Sequence, residues 1–340
     1  MNPAALYAKY AATLSRTSPC WCGSGKRFKS CHGALISDAA QADHPTARID
    51  ERRDGVVSAQ SIVCLPVNKL GNVLRAAASD KILADTIGAK FALAINLTRH
   101  PEVHAAISVL LKDYLSFAPL PASKLAERDL MTFSGIYGTN SHPVQEAVFV
   151  PADTLPRQDF WVAHIYAAVP HGMTTKEYVR RKISFYVSLP VPPALLASVD
   201  AFAVRYELAD AVGVHIRHTD NLRDAKKRKF ELNTPLPVFF DKMAALVGSG
   251  RRILLCSDNG AVIEEALRRM PLGAVVLADA APHPVLQPLY EMLLLSRCAF
   301  IVGSYASTFS YEPCFFRGID LECFERGEWR LYPIAALAVG

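Results

Sequence analysis

The chain has 340 residues, which favours two core-bearing units of about 100–200 residues each. Hydrophobic residues make up 51% and charged residues 20%, so a disordered chain is excluded. A formal net charge of +5 suits an anionic small ligand and falls short of a polybasic tail. No apolar run approaches the ~18–20 residues that a membrane span needs. The first residues predict a short amphipathic helix rather than a signal peptide.

Four potential metal ligands lie close together near the N-terminus. Cys20 and Cys22 stand one residue apart and are followed by Cys31 and His32, with glycines around them. Three thiolates and one imidazole can close a tetrahedral site on Zn²⁺, and so short a segment needs the metal in order to fold. Eight cysteines are too few for a disulfide scaffold. The pattern therefore predicts a structural zinc site and a reducing, cytoplasmic compartment.

The stretch PCWCGSGKRFKSCHG, within residues 18–33, resembles the SEC-C motif. The resemblance implies a zinc-stabilised module that docks to a protein partner. Its GSGK segment lacks both the first glycine and the preceding strand of a phosphate loop, so a P-loop is excluded. We expect this motif to occupy residues 1–36. The polar segment 37–58 after it has no apolar periodicity and predicts a linker.

Short apolar runs begin to alternate with helical spacing at about residue 59. Strands are predicted at Ser61–Val67 and Phe91–Leu97, with a turn at Asn68–Asn72 and a helix at Leu74–Gly88 between them. This arrangement is a βαβ unit, whose strands are expected to be parallel. A less regular stretch follows to about residue 200, with helices near 101–116 and 174–188.

The same alternation continues to the end of the chain. Strands are predicted at VGVHIRH, Ile253–Ser257, Ala274–Leu277 and Ala299–Gly303, and helices at Ala261–Met270 and Val285–Arg297. The predicted fold class is α/β, with two doubly wound Rossmann-type domains and an inter-domain cleft. We expect the domains to span residues 59–205 and 206–340.

Ligands of such sheets bind beyond the carboxyl ends of the strands, where four loops of this chain are rich in polar groups. The first loop holds Gly71, Asn72 and Arg75. It is either a helix start that approaches a polar ligand or a βα turn with a capping Asn. The second holds His215 and Arg217, whose planar guanidinium suits a pyrophosphate. A basic run follows it and is equally well explained as a solvated loop.

Two further loops follow later strands. Asp258 comes directly after Ile253–Ser257 and either accepts hydrogen bonds from a ribose or base, or caps the next helix. The loop after Ala299–Gly303 is a cluster of small hydroxyl residues, which can cradle phosphate with O–H and N–H groups. The candidate ligand-binding residues of this cluster are Ser307, Thr308, Phe309 and Ser310.

Read in order, the segments LGN-x-LR, VGVHIRHTD, LLCSDN and LLLSRCAFIVGSYASTFS resemble motifs of the fucosyltransferases with a GT-B fold. That group includes α1,6-fucosyltransferases, the nodulation fucosyltransferase and protein O-fucosyltransferases. The resemblance implies that Arg217 contacts the donor pyrophosphate and that His215 and Asp258 lie at the nucleoside. It further implies that the 307–310 loop wraps the phosphates and base, and that Asn72 and Arg75 shape the donor and acceptor pocket.

The chain departs from these relatives in the loop that follows VGVHIRH. His218 stands where many of them have a second Arg, and the acid of the α1,6 enzymes is replaced by alanine, with Asp224 as its neighbour. The catalytic base is therefore open between Asp220, Asp224 and His218. No D-x-D stretch precedes the late motif, so no catalytic metal is expected.

The sequence thus predicts an inverting, metal-independent glycosyltransferase that moves a sugar, fucose from GDP-fucose by the resemblance, to a hydroxyl of a glycan or protein. Two alternatives remain. A non-catalytic adaptor would dock a partner through residues 18–33 and use the α/β body as a scaffold. A nucleic-acid binder is disfavoured because aromatic residues are not interleaved with the basic run.

Overall fold

The computed structural model describes residues 27, 61–64, 69–94, 101–116, 148–150, 160–162, 168–170, 173–218, 234–305, 307–325 and 327–338. The predicted zinc ligands, the predicted linker, and Asp220 and Asp224 lie outside these residues. The chain divides into two compact units. The first comprises residues 1–139, 147–173 and 189–196, and the second residues 140–146, 174–188 and 197–340.

The described part of the first unit is built on a parallel sheet. Its elements are β1 (Ser61–Cys64), α1 (Leu70–Ile87), β2 (Lys90–Ala94), α2 (Pro101–Leu110), a 3₁₀ turn (Lys112–Tyr114), β3 (Leu115–Ser116), β4 (Val148–Val150), β5 (Phe160–Val162) and β6 (Ala168–Pro170). The strand order is β3-β2-β1-β5, and β4 pairs with β6. Each of these pairs is parallel. For β1 and β2 this confirms the prediction from the βαβ pattern.

Helix α1 begins earlier than the sequence pattern indicates, and the predicted turn at Asn68–Asn72 is wrong in its second half. Gly71 and Asn72 lie in the first helical turn, and the N-cap is Lys69, which makes no side-chain capping bond. Burial of Leu70, Val73 and other apolar residues outweighs the poor helix propensity of Gly and Asn. The helix ends at Gly88, whose φ of 71° is the left-handed conformation that glycine adopts without strain.

The second unit contains a larger sheet. Its helices are α3 (Thr175–Ser188), α4 (Pro193–Arg205, whose start belongs to the first unit), α5 (Leu236–Gly248), α6 (Gly260–Arg269), α7 (Gln287–Leu295), α8 (Thr308–Tyr311) and α9 (Ile334–Ala338). Its strands are β7 (Val212–Ile216), β8 (Ile253–Ser257), β9 (Val275–Leu277), β10 (Phe300–Gly303), β11 (Asp320–Glu325) and β12 (Glu328–Tyr332). Two 3₁₀ segments, Pro284–Leu286 and Glu312–Phe316, adjoin α7 and α8.

The strand order of this sheet is β12-β11-β10-β7-β8-β9. Every neighbouring pair is parallel except β11 with β12, which forms an antiparallel hairpin at the edge. The chain runs outward from β7 through β8 to β9 and then crosses back, so that β10 pairs with the other side of β7. The order therefore reverses between β7 and β10, which is the topological switch point of a doubly wound sheet. The predicted α/β class is confirmed.

The core of this sheet explains its central strand. Every residue of β7 is buried, and Val212, Val214 and Ile216 pack with residues of β8 and of α5. Strands buried on both faces have continuous apolar sequences rather than alternating ones.

Among the described helices, none alone combines the length and apolar character of a membrane span. Helices α3 and α4 reach it only as a pair bent by 109°.

Candidate functional site

The strand ends at the switch point are joined through one serine hydroxyl. Ser304, directly after β10, is buried, and its Oγ accepts a hydrogen bond of 2.9 Å from the backbone N–H of Arg217. The same Oγ lies 3.3 Å from the carbonyl oxygen of His215, to which the Ser304 N–H also donates at 3.1 Å. These bonds fix the backbone from which the half-buried Arg217 side chain leaves the sheet.

The imidazole of His215 belongs to the same carboxyl end of β7. It is buried, and its Nδ1 hydrogen-bonds to Ser310 Oγ at 2.7 Å. The ring of Phe309 packs against it, with centroids 4.9 Å apart and ring planes inclined by 31°. Burial, with a smaller contribution from the charge of Arg217, lowers the pKa of His215 from 6.5 to about 3. His215 is therefore a neutral imidazole at physiological pH, with one ring nitrogen that donates and one that accepts.

Close approach of α8 to β10 depends on Gly303. A Cβ at this position would stand 2.8 Å from Ser310 Oγ and still closer to Ser310 Cβ. Only glycine leaves the room that the hydrogen bond between Ser310 and His215 requires. The hydroxyl cluster predicted from the sequence is thereby held against the strand ends.

The contacts of the third loop exclude one of the two roles that the sequence left open for Asp258. Its Oδ1 accepts a hydrogen bond of 2.8 Å from the backbone N–H of His218, so the side chain ties the ends of β7 and β8 together. Helix α6 is capped instead by Asn259, whose Oδ1 accepts from the N–H of Ala261 at 3.0 Å. Asp258 is therefore not the helix cap, and its carboxylate is exposed at the carboxyl edge of the sheet.

One buried hydroxyl in the fourth loop stands out. Ser307 is 3% exposed, and within the described part of the chain its Oγ makes no hydrogen bond. Its backbone carbonyl accepts from the N–H groups of Ser310 and Tyr311. A buried hydroxyl without a partner costs about 1–3 kcal/mol. Such a group marks a place where a bound ligand can supply the missing bond.

The residues of the first predicted loop lie in the first unit, on α1. Gly71 is buried in the first helical turn, Asn72 is partly buried, and Arg75 is 5% exposed. Two further polar residues of the same helix, Ser79 and Asp80, are fully buried, and Ser79 Oγ donates to the Arg75 carbonyl at 2.9 Å. This part of α1 is a buried polar face beside the end of β1, where Cys64 lies next to Asp80.

The structure thus brings together most of the site residues of the second unit. Predicted residues that meet there are His215, Arg217, His218, Asp258, Ser307, Phe309 and Ser310, and Thr308 lies between them in α8. The described residues contain no cluster of His, Cys, Asp and Glu that could hold a metal ion. The four predicted zinc ligands, like Asp220 and Asp224, are outside the description.

Sequence reasoning assigned no role to Ser304 or to Ser257. Ser257 Oγ donates to the Ile216 carbonyl at 2.7 Å. On the opposite side of β7, Ser304 Oγ lies 3.3 Å from the His215 carbonyl oxygen. A single serine after a buried strand is too common to be singled out. The sequence signal that could have identified them is a serine at the carboxyl end of both strands that flank β7. Ser257 is the last residue of β8, and Ser304 follows β10.

Comparison with known proteins gives two kinds of similarity. A family model described as the SEC-C motif matches residues 16–34. No curated protein matches the sequence of the chain.

Solved structures similar to the chain include fucosyltransferases. NodZ α-1,6-fucosyltransferase soaked with GDP-fucose is 16% identical with a TM-score of 0.49, over 81% of this chain and 99% of that one. A mutant of Arabidopsis thaliana FUT1 in complex with GDP is 14% identical with a TM-score of 0.47, over 95% of this chain and 79% of that one. POFUT1 in complex with GDP is 14% identical with a TM-score of 0.43, over 76% and 95%. The SEC-C resemblance noted in the sequence is confirmed. Because one fold hosts many functions, activity has to be argued from the site.

Proposed function

We propose that the second unit binds a nucleoside diphosphate sugar at the switch point and that the chain transfers the sugar to a hydroxyl acceptor. One observation carries this proposal. Hydrogen-bonding groups from three strand ends converge beside Arg217, and the buried Ser307 Oγ among them lacks a partner within the described residues. Ligands of doubly wound sheets bind at this place.

Each group of the site suits one part of such a donor. The guanidinium of Arg217 offers paired N–H donors to a pyrophosphate, and the hydroxyls of Ser307 and Thr308 donate to phosphate oxygens. Neutral His215, which packs against Phe309 and hydrogen-bonds to Ser310, would hold these two loop residues beside the nucleobase. The exposed carboxylate of Asp258 accepts hydrogen bonds from ribose hydroxyls.

The proposed reaction is a single displacement with inversion. The acceptor oxygen forms a bond to the anomeric carbon while the bond from that carbon to the diphosphate breaks, and the diphosphate leaves with the bonding electrons. The acceptor proton passes to a side-chain base, for which His218, Asp220 and Asp224 are the candidates. Arg217 and the 307–310 loop bind the negative charge that grows on the leaving diphosphate. We propose fucose from GDP-fucose as the sugar and a reaction that needs no catalytic metal.

We further propose that the acceptor is bound by the domain at residues 59–205 and the donor by the domain at residues 206–340. Support for a polar environment in the first of these domains comes from Arg75, Ser79 and Asp80, which are all buried on α1. Gly71 and Asn72 stand one turn earlier on the same helix.

A structural zinc ion is proposed for the N-terminal motif. Three thiolates and an imidazole, from Cys20, Cys22, Cys31 and His32, form a donor set that fits Zn²⁺. When bound, zinc would supply folding free energy and no chemistry. Free thiols at all five described cysteines, Cys64, Cys256, Cys298, Cys314 and Cys323, support a reducing compartment such as the cytoplasm.

A second candidate function is a non-catalytic adaptor. It is favoured by the SEC-C match at residues 16–34, which predicts docking to a protein partner. The adaptor would use the α/β units as a scaffold, so it predicts no affinity for a nucleotide sugar.

Calorimetric and thermal-shift titrations with GDP, UDP, ADP and GDP-fucose distinguish the two candidates. We expect binding selective for GDP and GDP-fucose, with an affinity that EDTA leaves unchanged. Zinc content of the purified protein, compared between the wild type and a Cys22→Ser variant, tests the metal site separately. If none of the four nucleotides binds, the transferase proposal is wrong and the adaptor leads.

A further inference from the structure

A buried ionic network adjoins the Ser307–Ser310 loop, the proposed donor loop, within the second unit. Lys182 of α3 forms an ion pair with Glu312, its Nζ standing 2.9 Å and 3.1 Å from the two carboxylate oxygens. Tyr186, one turn further along α3, donates a hydrogen bond from its OH to Glu312 Oε2. The ammonium group also lies 3.9 Å from the ring centroid of Phe315, which is a cation–π contact.

This network is costly to bury. The side chains of Lys182 and Glu312 are both 0% exposed, whereas lysine and glutamate are almost never fully buried unless paired. Desolvation of two charges often exceeds their attraction, and apolar residues of similar volume commonly leave a protein equally stable or more stable. Stability alone is therefore a weak reason for the pair. Its directional bonds do what apolar packing does not, because they fix one position of the segment that carries Glu312.

That segment continues straight from the donor loop. Glu312 follows Tyr311, the last residue of α8, and begins the 3₁₀ turn at Glu312–Phe316. The N–H groups of Ser310 and Tyr311 both donate to the carbonyl of Ser307, so residues 307–312 form one hydrogen-bonded unit. A shift of Glu312 along α3 would move Ser310 away from His215 and Ser307 away from the strand ends.

We propose that Lys182, Tyr186 and Glu312 are positioning residues that hold the Ser307–Ser310 loop in its donor-binding geometry. This inference rests on the proposed function of that loop. The network touches no donor group itself and acts through the backbone between Ser307 and Glu312. A displacement of about 1 Å in such a supporting group is enough to reduce binding or turnover strongly.

The test replaces the network by apolar residues of similar size, in a triple variant carrying Lys182→Met, Tyr186→Phe and Glu312→Leu. We expect a urea midpoint equal to or above that of the wild type, because both charges of the ion pair are removed together. Amide hydrogen exchange over residues 307–316 should be faster while β7 and β8 stay protected. The GDP dissociation constant should rise about tenfold.

A matched control is present in the same unit. Lys242 and Glu322 join α5 to β11 with an Nζ to Oε1 distance of 2.7 Å, and Lys242 lies 5.1 Å from the ring centroid of Trp329. A double variant with Lys242→Met and Glu322→Leu removes a lysine–glutamate pair with its own aromatic partner. It should leave exchange at residues 307–316 and the GDP affinity unchanged.

The outcomes separate this inference from the proposed function. Unchanged exchange and unchanged GDP affinity in a stable triple variant overturn the positioning role and leave the proposed function standing. A wild-type protein that binds no nucleotide overturns the proposed function, and amide exchange still decides whether the network fixes the loop. Tyr186→Phe alone keeps the ion pair and gives the same two readouts at smaller amplitude if the triple variant does not fold.

Discussion

The carboxyl end of the six-stranded sheet and the start of α1 both carry polar residues that follow a strand, and they hold them in different ways. In the second unit these groups come from loops after β7, β8 and β10 and are fixed by bonds between loops, such as those of Ser304 and Asp258. In the first unit they come from one helix, where Arg75, Ser79 and Asp80 are all buried. The loops can present groups to a ligand from three strand ends, whereas the polar groups of α1 belong to a single element.

The difference indicates which residues should affect ligand affinity and which should mainly affect stability. A site assembled from several strand ends needs every loop in place, so its affinity should respond to changes in backbone as well as in side chain. A buried helical face should respond mainly through stability, because its polar groups are surrounded by the core of its own unit. Four experiments test the loop side of this comparison.

The largest effect is expected at Arg217. Arg217→Ala removes the charge that would bind the leaving diphosphate, and turnover of GDP-fucose should fall about 100- to 1,000-fold. Release of GDP from GDP-fucose measures it. Arg251→Ala is the control, since Arg251 stands before β8 at the opposite edge of the sheet and bonds the Asp210 carbonyl. Full turnover in the Arg217 variant would refute its assigned role.

Gly303→Ala comes next. The added Cβ collides with Ser310, so we expect a loss of about 1–3 kcal/mol in the free energy of unfolding, measured with urea. The bond between His215 and Ser310 should be disturbed as well, which lowers GDP affinity. Gly260→Ala, where a Cβ would meet nothing within 4 Å, is the matched control and should change stability by less than about 1 kcal/mol.

The buried imidazole of His215 predicts a pH dependence. Its pKa falls from 6.5 to about 3 on folding, so the unfolded chain binds more protons between these values. The stability that neutral His215 contributes to the folded chain is fully present above about pH 6.5. It is lost as the pH falls toward 3, at up to about 1.4 kcal/mol per pH unit. His215→Gln should flatten this slope in urea denaturation followed from pH 7 to pH 4. His283→Gln serves as comparison, because partial burial also lowers the pKa of His283. An unchanged slope in the His215 variant would contradict the neutral buried imidazole.

Two neighbouring residues give the smallest and most selective effects. Asn259→Ala removes the cap of α6 and should lower stability by about 1 kcal/mol without changing GDP affinity. Asp258→Ala leaves the cap intact and should weaken GDP binding about tenfold, as expected for a lost hydrogen bond to a charged group. Equal effects of both changes on GDP affinity would show that the loop acts only as a scaffold. Calorimetry with GDP and urea denaturation provide the two readouts.

Much of the second unit could be predicted from the sequence because its strands are continuous apolar runs. Ile253–Ser257 is observed with the predicted bounds, and Phe300–Gly303 differs by one residue. Helix α4 was missed because its prolines suggest a loop, although Pro193 fits a first helical position without strain. The start of α1 was missed because burial, which the sequence does not state, overrode Gly71 and Asn72.

The site was predictable only in part, for a related reason. His215 lies near the carboxyl end of β7, and Arg217, Asp258 and Ser307 follow strands. The rule that ligands bind at carboxyl ends is enough to select them. Which of them bond to one another depends on the strand order, and that order does not follow from local pattern. The pairing of Lys182 with Glu312 spans 130 residues and therefore leaves no trace in spacing.

The position of β7 at the centre of its sheet also governs when the site can form. His215 meets Ser310 across 95 residues of chain, and Arg217 meets Ser304 across 87. Contacts between such distant segments are closed late, because the entropy of the intervening loop must be overcome first. A growing chain that has emerged only as far as β8 holds the imidazole without the hydroxyl that orients it. The switch-point site is thus expected to be completed late in folding, after β10 and α8 have formed.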